Sequence, residues 1–551
     1  MTPALTRTFL PAPPLPPGRP RLVLAGFMGT GKTEAGRRAA ALLGLPFVDA
    51  DEVAVRRAGR SVDEIFERKG EAAFRRLEEQ VLADLAQLSG VVIATGGGAV
   101  LHTEAFAAVC DGAEVAVLTA APEVLAERIG RSGGRPLVGT DDPGAITRLL
   151  QQRGALYAAA GGLLDTTTRP PDEVAAALVA RYPRRTGEPV AGTPARIEVA
   201  SGGGSYPVLV GAGAIELLAA ELARVRPGIG RAVVVVDEQV ESTVGPRVTE
   251  VLRAGGIETQ ARYPLPAGEA AKSLSCVADL WTWFRAEGLD RTGVVVAVGG
   301  GATLDVAGFA AATYARGVPL VNVATTLLAC VDASLGGKVA IDHDDVKNLV
   351  GSFHDPTLVV ADTSVLASLP GRVFRAGLAE CVKAAVLASR GMLELVAGPP
   401  CGDELPVPVD WIVEQSVRIK AAYVAADPED RLLRQSLNLG HTFAHAIEAA
   451  SDYAVPHGEA VAVGLVAAAR LGVEVGSTTP DLPGSVQSTL ERLGLPVRPP
   501  AGLSPERVRT AVAGDKKRRA GRPVLIVPAA GGAELVEGLT AEDVLGKLRT
   551  G

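Results

Sequence analysis

The stretch GFMGTGKT at 26–33 has the residue types and spacing with which proteins hold nucleotide phosphates. It fits the pattern GxxxxGK[ST] between an apolar run and a helical pattern, the context that a phosphate-binding loop (P-loop) requires. Its glycines let backbone N–H groups point at phosphate oxygens, and the start of the following helix adds positive potential. We predict that Lys32 reaches the outer phosphates and that the Thr33 hydroxyl ligates Mg²⁺. The residues predicted to contact the nucleotide are Gly29, Thr30, Gly31, Lys32, Thr33 and Glu34.

Three later features could hold the molecule that accepts the phosphoryl group. Asp49 and Asp51 stand at the end of a predicted strand, where parallel sheets open onto their ligand crevice. Arg75 offers a planar guanidinium suited to a carboxylate. The glycines at 96–98 follow an apolar run and allow the backbone to approach a small ligand closely. Each feature alone is common, and an isolated arginine most often lies at the surface. Together, however, they restrict the kinds of molecule that could accept the phosphoryl group.

Three of the chain's six histidines fall between 441 and 457. His441 and His445 lie one helical turn apart on one face of a predicted helix, and His457 follows after a loop. An HxxxH pair alone is often structural, but this clustering in a chain that otherwise rarely uses histidine favours a metal site. Catalytic zinc typically takes three protein ligands and leaves a position for substrate, so two histidines and one carboxylate would satisfy it.

A dinucleotide-like pattern precedes the histidines. Asp237 ends the apolar run AVVVV, which is a common place for a carboxylate that accepts hydrogen bonds from a ribose. The run VVVAV at 294–298 leads into GGGATLD, a glycine turn followed by the start of a helix. This is not the GxGxxG fingerprint, so the pattern by itself leaves both nucleotide binding and a structural turn open.

The elements around these residues alternate between strand-like and helix-like runs, which predicts an α/β fold with parallel sheets covered by helices. The strands are predicted at 21–26, 46–48, 91–95, 114–118, 196–200, 206–210, 232–236, 294–298, 319–323 and 357–360. The predicted domains are a disordered proline-rich tail at 1–20, a P-loop domain with helices on both faces of its sheet at 21–182, a linker at 183–195, an α/β nucleotide-binding domain at 196–365 and a mostly helical metal and substrate domain at 366–551.

Composition excludes several classes of protein. The chain has 551 residues, with 55 basic and 62 acidic residues and a net charge of −7, which argues against a general nucleic-acid or anionic-membrane surface. Its five cysteines never form a CxxC pair and are expected to be reduced thiols. No apolar run approaches the roughly 20 residues that span a bilayer. The N-terminus lacks the order of a signal peptide, so the expected location is the cytoplasm.

Over about 20–182 the sequence resembles shikimate kinase. The resemblance is carried by the P-loop, Asp49 and Asp51, GEAAFRRLE, TGGGAV, RPL at 135–137 and QRGALY at 152–157. It implies ATP with Mg²⁺, with Asp49 supporting the ion and Asp51 orienting or deprotonating the attacking hydroxyl. The implied shikimate contacts are Asp51, Arg75, Gly97 and Arg153, and Arg135 would belong to a mobile lid over the nucleotide.

From about 196 the sequence resembles 3-dehydroquinate synthase. The motifs that carry it include PAGEAAKS at 266–273, GGGATLDVAGFAAATYARG at 299–317, VDASLGGK at 331–338, AECVK at 379–383 and RQSLNLGHTFAH at 434–445. It implies zinc or cobalt on Glu380, His441 and His457, with His445 as a supporting or proton-relay residue, and a homodimer through this half. The implied NAD contacts are Asp237, Glu269, Lys272, Gly301, Asp305, Thr325, Thr326, Lys338 and Lys347. The implied substrate contacts are Arg316, Asp332, Lys338, Asn348, Lys383, Lys420, Arg434, Asn438 and Lys516 or Lys517. The implied catalytic residues of both halves are Lys32, Asp51, Lys338, Asp430, Arg434 and His445.

The resemblances imply a bifunctional enzyme of the pathway to chorismate, and three departures leave a sister sugar-phosphate cyclase open. Ala324, Val346 and Asp430 stand where the synthase family usually shows proline, glycine and glutamate. A metal-dependent alcohol dehydrogenase is the alternative for the second half, and a kinase of another small acid for the first. A dehydrogenase would not need the lysine and arginine cluster. Because the two reactions are not adjacent steps, we expect halves separated within 183–195 to keep their rates.

Overall fold

The computed structural model describes residues 5–131, 143–182, 193–344, 346–398, 405–514 and 523–549. Arg135, Lys516, Lys517 and most of the predicted linker lie outside these residues. The chain forms two compact units, which we name by their motifs. The P-loop unit consists of the described parts of Pro17–Ala191 and Ser389–Trp411. The histidine unit consists of those of Met1–Pro16, Gly192–Ala388 and Ile412–Gly551.

The strands and helices of the described residues are numbered in chain order. The strands are β1 Thr6–Pro11, β2 Leu22–Gly26, β3 Phe47–Asp49, β4 Val92–Ala94, β5 Glu114–Thr119, β6 Gly162–Asp165, β7 Ala195–Ser201, β8 Gly204–Val210, β9 Ala232–Asp237, β10 Arg262–Leu265, β11 Val294–Gly299, β12 Leu320–Ala324, β13 Lys338–His343, β14 Val346–Phe353, β15 Leu358–Ala361, β16 Leu525–Ala529 and β17 Gly532–Glu537. The helices are α1 Lys32–Leu43, α2 Ala50–Ala58, α3 Val62–Lys69, α4 Glu71–Leu85, α5 Thr103–Cys110, α6 Pro122–Arg131, α7 Pro143–Ala160, α8 Pro171–Arg181, α9 Leu218–Val225, α10 Val244–Ala254, α11 Leu274–Ala286, α12 Gly301–Thr313, α13 Gly371–Ala388, α14 Arg390–Val396, α15 Val409–Ala426, α16 His441–Ala450, α17 His457–Glu474, α18 Leu482–Arg492, α19 Pro505–Gly514 and α20 Ala541–Arg549.

The P-loop unit is built on a five-stranded parallel sheet in the order β3-β4-β2-β5-β6. The apolar run of β2 is wholly buried because α1 and α8 cover it, in a core that includes Leu24, Leu43 and Leu178. The predicted α/β class is confirmed. Strand β6 was not predicted because it has only four residues and three of them are exposed, so it lacks an apolar run. The carboxyl ends of β2, β3 and β4 meet at one edge and bring the P-loop beside Asp49.

The histidine unit contains a seven-stranded sheet in the order β10-β9-β11-β12-β15-β8-β7. All of its pairs are parallel except β7 with β8. Strands β9, β11 and β12 are buried along their whole length, as is typical of central parallel strands covered on both faces. Every strand predicted from an apolar run is present in the two units within two residues of its predicted bounds. The edge strand β10 was missed because its sequence RYPL contains proline and partly exposed polar residues.

The N-terminal tail is not disordered as predicted. Strand β1 pairs antiparallel with β17, which pairs with β16 in a three-stranded sheet of the histidine unit. The Leu10 side chain is only 1% exposed. The prediction was wrong because it considered the prolines after residue 10 and not the six residues TRTFLP. The backbone groups of these residues pair with β17, near the other end of the sequence. The predicted boundaries change accordingly, since 389–411 also belongs to the P-loop unit.

None of the helices in the described ranges is both long and apolar enough to cross a membrane.

Candidate active sites

The P-loop joins β2 to α1 through a backbone that requires glycine. Gly26 has φ 139°, and a Cβ there would lie 2.3 Å from the Leu118 carbonyl oxygen. Gly29 and Gly31 have φ 80° and 88°, in the left-handed region that favours glycine. The Lys32 Nζ donates hydrogen bonds to the Gly26 and Phe27 carbonyls at 2.8 and 3.0 Å. The ammonium group is therefore held over the loop that it is predicted to serve.

A hydroxyl and a carboxylate meet beside the loop. The Thr33 Oγ1 donates a hydrogen bond to Asp49 Oδ2 at 2.6 Å. The other carboxylate oxygen, Asp49 Oδ1, accepts from the Asp51 N–H at 3.0 Å and so caps α2. The residues predicted to support Mg²⁺ are thus adjacent and offer the oxygen ligands that the ion prefers.

The residues predicted to bind the phosphoryl acceptor surround the glycines at 96–98. Arg153 Nη1 donates to the Gly97 carbonyl at 3.1 Å. A Cβ at Gly96 would lie 2.6 Å from Asp51 Oδ1, and one at Gly98 would lie 2.0 Å from Arg75 Nη1. The glycines are needed because these side chains press against the backbone. The structure therefore brings Asp51, Arg75, Gly97 and Arg153 into one place.

Sequence reasoning missed Glu78, which pairs with Arg75, one of the two arginines predicted to bind the phosphoryl acceptor. Its carboxylate is 3% exposed and accepts from Arg75 Nη1 at 2.7 Å. It also lies 2.9 Å from His102 Nε2. Burial alone would lower the pKa of Arg75, but the hydrogen bond and charge of Glu78 outweigh it and raise the pKa. A spacing of three residues on one helix was the available signal, because residues i and i+3 are neighbours.

In the histidine unit, three helices bring one carboxylate and two imidazoles together. Glu380 lies within α13, while His441 and His457 are the first residues of α16 and α17. Glu380 Oε1 lies 3.6 Å from His441 Nε2 and 3.5 Å from His457 Nε2. One potential ligand atom from each of the three lies within 4.8 Å of the others. This is the predicted metal-ligand set.

Close helix packing produces the cluster. A Cβ at Gly458 would lie 1.9 Å from the Ala376 carbonyl oxygen, so the start of α17 touches α13. A Cβ at Gly464 would lie 2.2 Å from the Gly440 carbonyl oxygen, so α17 also touches the start of α16. These contacts leave no room for a side chain, which explains why small residues stand beside the ligands.

The cluster fits a divalent cation. Glu380 is 2% exposed, and its Oε1 has no hydrogen-bond donor among the described residues. A buried carboxylate oxygen without a donor is costly unless a cation faces it. Lys383 forms an ion pair with the other oxygen. Burial would raise the pKa of Glu380, but Lys383 and His457 outweigh it and lower the pKa.

The imidazoles are oriented through their other nitrogens. His441 Nδ1 lies 3.1 Å from the Leu439 carbonyl oxygen, and His457 Nδ1 lies 3.3 Å from Glu448 Oε2. Both contacts leave Nε2 for the ion, the usual arrangement around metal-bound histidine. The His445 ring lies beside them, with centroids 5.6 Å from His441 and 6.4 Å from His457. His445 is therefore adjacent to the ligand set but not part of it.

The predicted NAD residues gather at the carboxyl ends of β9, β11 and β12. Asp237 ends β9, and its carboxylate accepts from the Gln239 N–H at 3.0 Å and from Thr303 Oγ1 at 3.2 Å. Gly301 begins α12 directly after β11. Thr325 follows β12, and its N–H donates to the Gly299 carbonyl at 3.0 Å. A Cβ at Gly300 would lie 3.3 Å from the Thr326 methyl group.

The lysines predicted beside NAD are paired. Lys272 Nζ lies 2.6 Å from Asp305 Oδ2 and also contacts Asn348. Burial raises the pKa of Asp305 to about 6, although the charge of Lys272 lowers it. Lys347 Nζ lies 3.4 Å from Glu269 Oε1.

Buried cations of the predicted substrate set lie next to the metal cluster. Lys420 donates to the Asp332 carboxylate, and burial lowers the pKa of Lys420 to about 8. Burial would raise the pKa of Asp332, but the charges of Lys420, Lys383 and His441 lower it strongly. Because each of these charged groups shifts the pKa of the others, they share one poorly hydrated region.

Arg434 and Asn438 share the short turn Leu433–Asn438. The Arg434 guanidinium donates to the Pro428 and Gly336 carbonyls, both at 2.9 Å. Lys338 forms an ion pair with Asp430 and is half-exposed. Arg316 is exposed, and none of the described contacts places it in the cluster.

Family models match both halves of the chain. The 3-dehydroquinate synthase family models match residues 262–376 for the N-terminal part and 377–518 for the C-terminal part. A 3-dehydroquinate synthase from Symbiobacterium thermophilum is 45% identical over 337 residues, which cover 60% of this chain and 93% of that protein. The chain belongs to the 3-dehydroquinate synthase family.

Residues 28–183 match the family model of shikimate kinase. A second 3-dehydroquinate synthase, from Halorhodospira halophila, is 41% identical and covers 62% of this chain and 95% of that protein. A solved 2-epi-5-epi-valiolone synthase from Streptomyces hygroscopicus, with NAD⁺ and Zn²⁺ bound, is 28% identical. That match covers 63% of this chain and 96% of the other, with a TM-score of 0.56. One chain therefore carries a shikimate kinase domain and a 3-dehydroquinate synthase domain, as a bifunctional enzyme of the shikimate pathway.

The synthase prediction missed Glu448, which orients His457 and is 6% exposed. Burial would raise its pKa, but the hydrogen bond and charge of His457 lower it. His441, His445 and Glu448 stand at i, i+4 and i+7 of one helix, so the face that carries the histidines also carries this carboxylate. That spacing was the signal in the sequence.

Proposed function

We propose that the P-loop unit phosphorylates shikimate with ATP to give shikimate 3-phosphate. We propose that the histidine unit converts 3-deoxy-D-arabino-heptulosonate 7-phosphate to 3-dehydroquinate with release of phosphate. The observation that carries the second assignment is the position of the cluster of Glu380, His441 and His457 beside buried Lys383 and Lys420. A metal-dependent dehydrogenase needs the metal-ligand cluster but has no use for the two buried lysines.

The cofactors proposed for the histidine unit are NAD⁺ and Zn²⁺ or Co²⁺. When bound, the ion would polarise a substrate hydroxyl as a Lewis acid, and NAD⁺ would accept a hydride from the carbon that bears this hydroxyl. The ion would be held by Glu380, His441 and His457, and the nucleotide at the ends of β9, β11 and β12. The bound NAD⁺ and Zn²⁺ of the valiolone synthase support this proposal.

The protein's own part in the cyclase reaction is to bind an anion and to exclude water. The cations of Lys383, Lys420 and Arg434 are each less than 9% exposed, so they attract a phosphate and a carboxylate far more strongly than surface charges do. Asp332 keeps Lys420 oriented. His445 stands beside the ligands, where an imidazole can take up or release a substrate proton.

In the P-loop unit, we propose that ATP with Mg²⁺ lies on the loop, with Thr33 and Asp49 near the ion. Arg75 and Arg153 grip the shikimate carboxylate, while Asp51 accepts a hydrogen bond from the attacking hydroxyl. Transfer then depends on positioning and on neutralising the charge of the phosphoryl group.

The deciding experiment measures phosphate release from the heptulosonate phosphate with NAD⁺ far below the substrate concentration. A cyclase turns over many times per NAD⁺ because the hydride returns to the reacting molecule. A dehydrogenase stops after it has formed one equivalent of NADH per NAD⁺. A chelator abolishes the release, and zinc restores it. His457→Gln stops this reaction and leaves the kinase intact, while Lys32→Met does the reverse, so each variant controls the other. Stoichiometric NADH accumulation would contradict the proposal, and turnover only with another sugar phosphate would indicate a sister cyclase.

We further propose that the chain forms a homodimer in the cytoplasm. Strand β14 exposes Val346, Leu349, Val350 and Phe353, with Phe353 58% exposed, and an apolar strand of this kind needs a cover. A second copy presents the same strand. Light scattering of the intact protein should give twice the chain mass, and Phe353→Glu should halve it; a monomeric unsubstituted protein contradicts the proposal. The described cysteines are free thiols, which suits a reducing compartment.

A further inference from the structure

Helix α14 lies within the sequence that matches 3-dehydroquinate synthase but belongs to the P-loop unit. A Cβ at Gly391 would lie 2.8 Å from the Asp84 carbonyl oxygen, so α14 packs directly against the end of α4. At the end of the same segment, the buried Trp411 Nε1 donates to the Ser89 carbonyl at 2.9 Å. Both described parts of the segment 389–411 are therefore in contact with the rest of the P-loop unit, at Gly391 and at Trp411.

An ion network joins α14 to two helices at once. Arg57, near the end of α2, donates from Nε to Glu394 Oε1 at 3.0 Å. The same guanidinium lies 2.7 Å from Asp84 Oδ2, near the end of α4. The side chains of Arg57 and Glu394 are only 11% and 13% exposed, so water screens this pair weakly.

These two helices carry the groups proposed to hold shikimate. Asp51 is the second residue of α2, Arg75 lies in the first half of α4 and Glu78 is at its middle. Asp84 is nine positions after Arg75, which is about 13 Å along the helix. A tilt of about 5° at the network end thus moves Arg75 by about 1 Å, which is enough to break a hydrogen bond from Arg75 to a bound carboxylate.

We propose that the described parts of this segment, 389–398 and 405–411, belong to the shikimate site's framework and that Glu394 is a positioning residue of the kinase. Glu394 holds Arg57, and Arg57 fixes the ends of α2 and α4 to each other, which sets the spacing between Asp51 and Arg75. The kinase thereby depends on a helix supplied by the synthase half of the sequence. This inference rests on the proposed assignment of the shikimate contacts.

The test uses full-length Glu394→Gln, which keeps the side-chain size and removes the charge. The KM for shikimate should rise by about tenfold, because Arg57 loses the carboxylate that holds it beside Asp84 and the resulting shift of α4 weakens the charge-assisted hydrogen bond from Arg75 to shikimate. The KM for ATP and the rate of the synthase reaction should stay the same. Arg57→Gln should give a change at least as large, because it also removes the pair with Asp84, and the double variant should be no worse than Arg57→Gln alone, since both substitutions break one network.

The matched control is Asp172→Asn, which removes an equally charged partner from the exposed pair with Arg38, where the Asp172 side chain is 84% exposed. It should leave all three constants unchanged. Arg57→Lys keeps the charge and should recover most of the shikimate affinity, which separates positioning from misfolding.

Two results would overturn the inference: an unchanged shikimate KM in Glu394→Gln, or equal changes for shikimate and ATP. Arg75→Gln tests the site itself. If that variant binds shikimate normally, the proposed site is wrong, whatever Glu394 does.

Discussion

The support of His457 by Glu448 gives a prediction that can be worked from the structure. Glu448 Oε2 is the partner of His457 Nδ1 at 3.3 Å, and the carboxylate is 6% exposed. Glu448→Gln removes the charge that stabilises the imidazole dipole but keeps the volume. The other imidazole is unaffected, because its Nδ1 faces the Leu439 carbonyl.

The expected loss is therefore that of one supporting partner. Removing such a partner typically weakens metal affinity by about 10–100-fold, which corresponds to about 1.4–2.7 kcal/mol. The affinity should be measured by competition for Zn²⁺ with a chromogenic chelator, so that the readout does not depend on turnover. Glu474→Gln is the matched control, since Glu474 ends α17, the helix that begins with His457, but pairs with Lys547.

A Zn²⁺ affinity within about threefold of the unsubstituted protein would refute the reasoning. The carboxylate would then contribute packing and not orientation. A loss of the same size in Glu474→Gln would also refute it, because the effect would then come from the helix as a whole.

Two further predictions concern β1 and Lys420. Leu10→Ala should lower the free energy of unfolding of the histidine unit by about 2–4 kcal/mol, as measured by urea unfolding followed through synthase activity, because Leu10 is 1% exposed. Phe9→Ala, on the opposite face of the strand and 51% exposed, should change it little, and equal effects would contradict the assignment of faces. Burial lowers the pKa of Lys420 to about 8, so the ammonium is charged below that pH and neutral above it. The KM for the sugar phosphate should therefore rise above about pH 8, and Lys420→Arg should remove the rise; an identical pH profile in the variant would exclude Lys420 as its cause.

Much of the fold was readable because central parallel strands are buried on both faces and appear as runs of valine and leucine. Strands β2, β9 and β11 are such runs, and their carboxyl ends place the P-loop, Asp237 and the glycine turn. The P-loop and the histidine cluster were readable because their chemistry depends on local spacing.

What the sequence left hidden depends on contacts between distant segments. Glu78 and Glu448 had spacing signals on their helices, but carboxylates at helical spacing are usually solvated, and only burial distinguishes them. Strand β10 lies at a sheet edge, where burial no longer requires an apolar run. The pairing of β1 with β17 could not be inferred from a local pattern, because neither strand's sequence indicates which strand it pairs with.

That pairing changes how the fusion should be understood. Strand β1 precedes the kinase sequence but belongs to the histidine unit, where its sheet packs against the turn that carries Arg434 and Asn438. Helix α14 follows the kinase sequence by more than 200 residues but belongs to the P-loop unit. A cut within 183–195 would therefore take one supporting element from each unit. The expectation that separated halves keep their rates must be reversed on this ground, since each half would lose an element that supports its proposed site. The two reactions need not share an intermediate for the chain to require both halves: the dependence lies in the framework that positions Arg434 in one unit and Arg75 in the other.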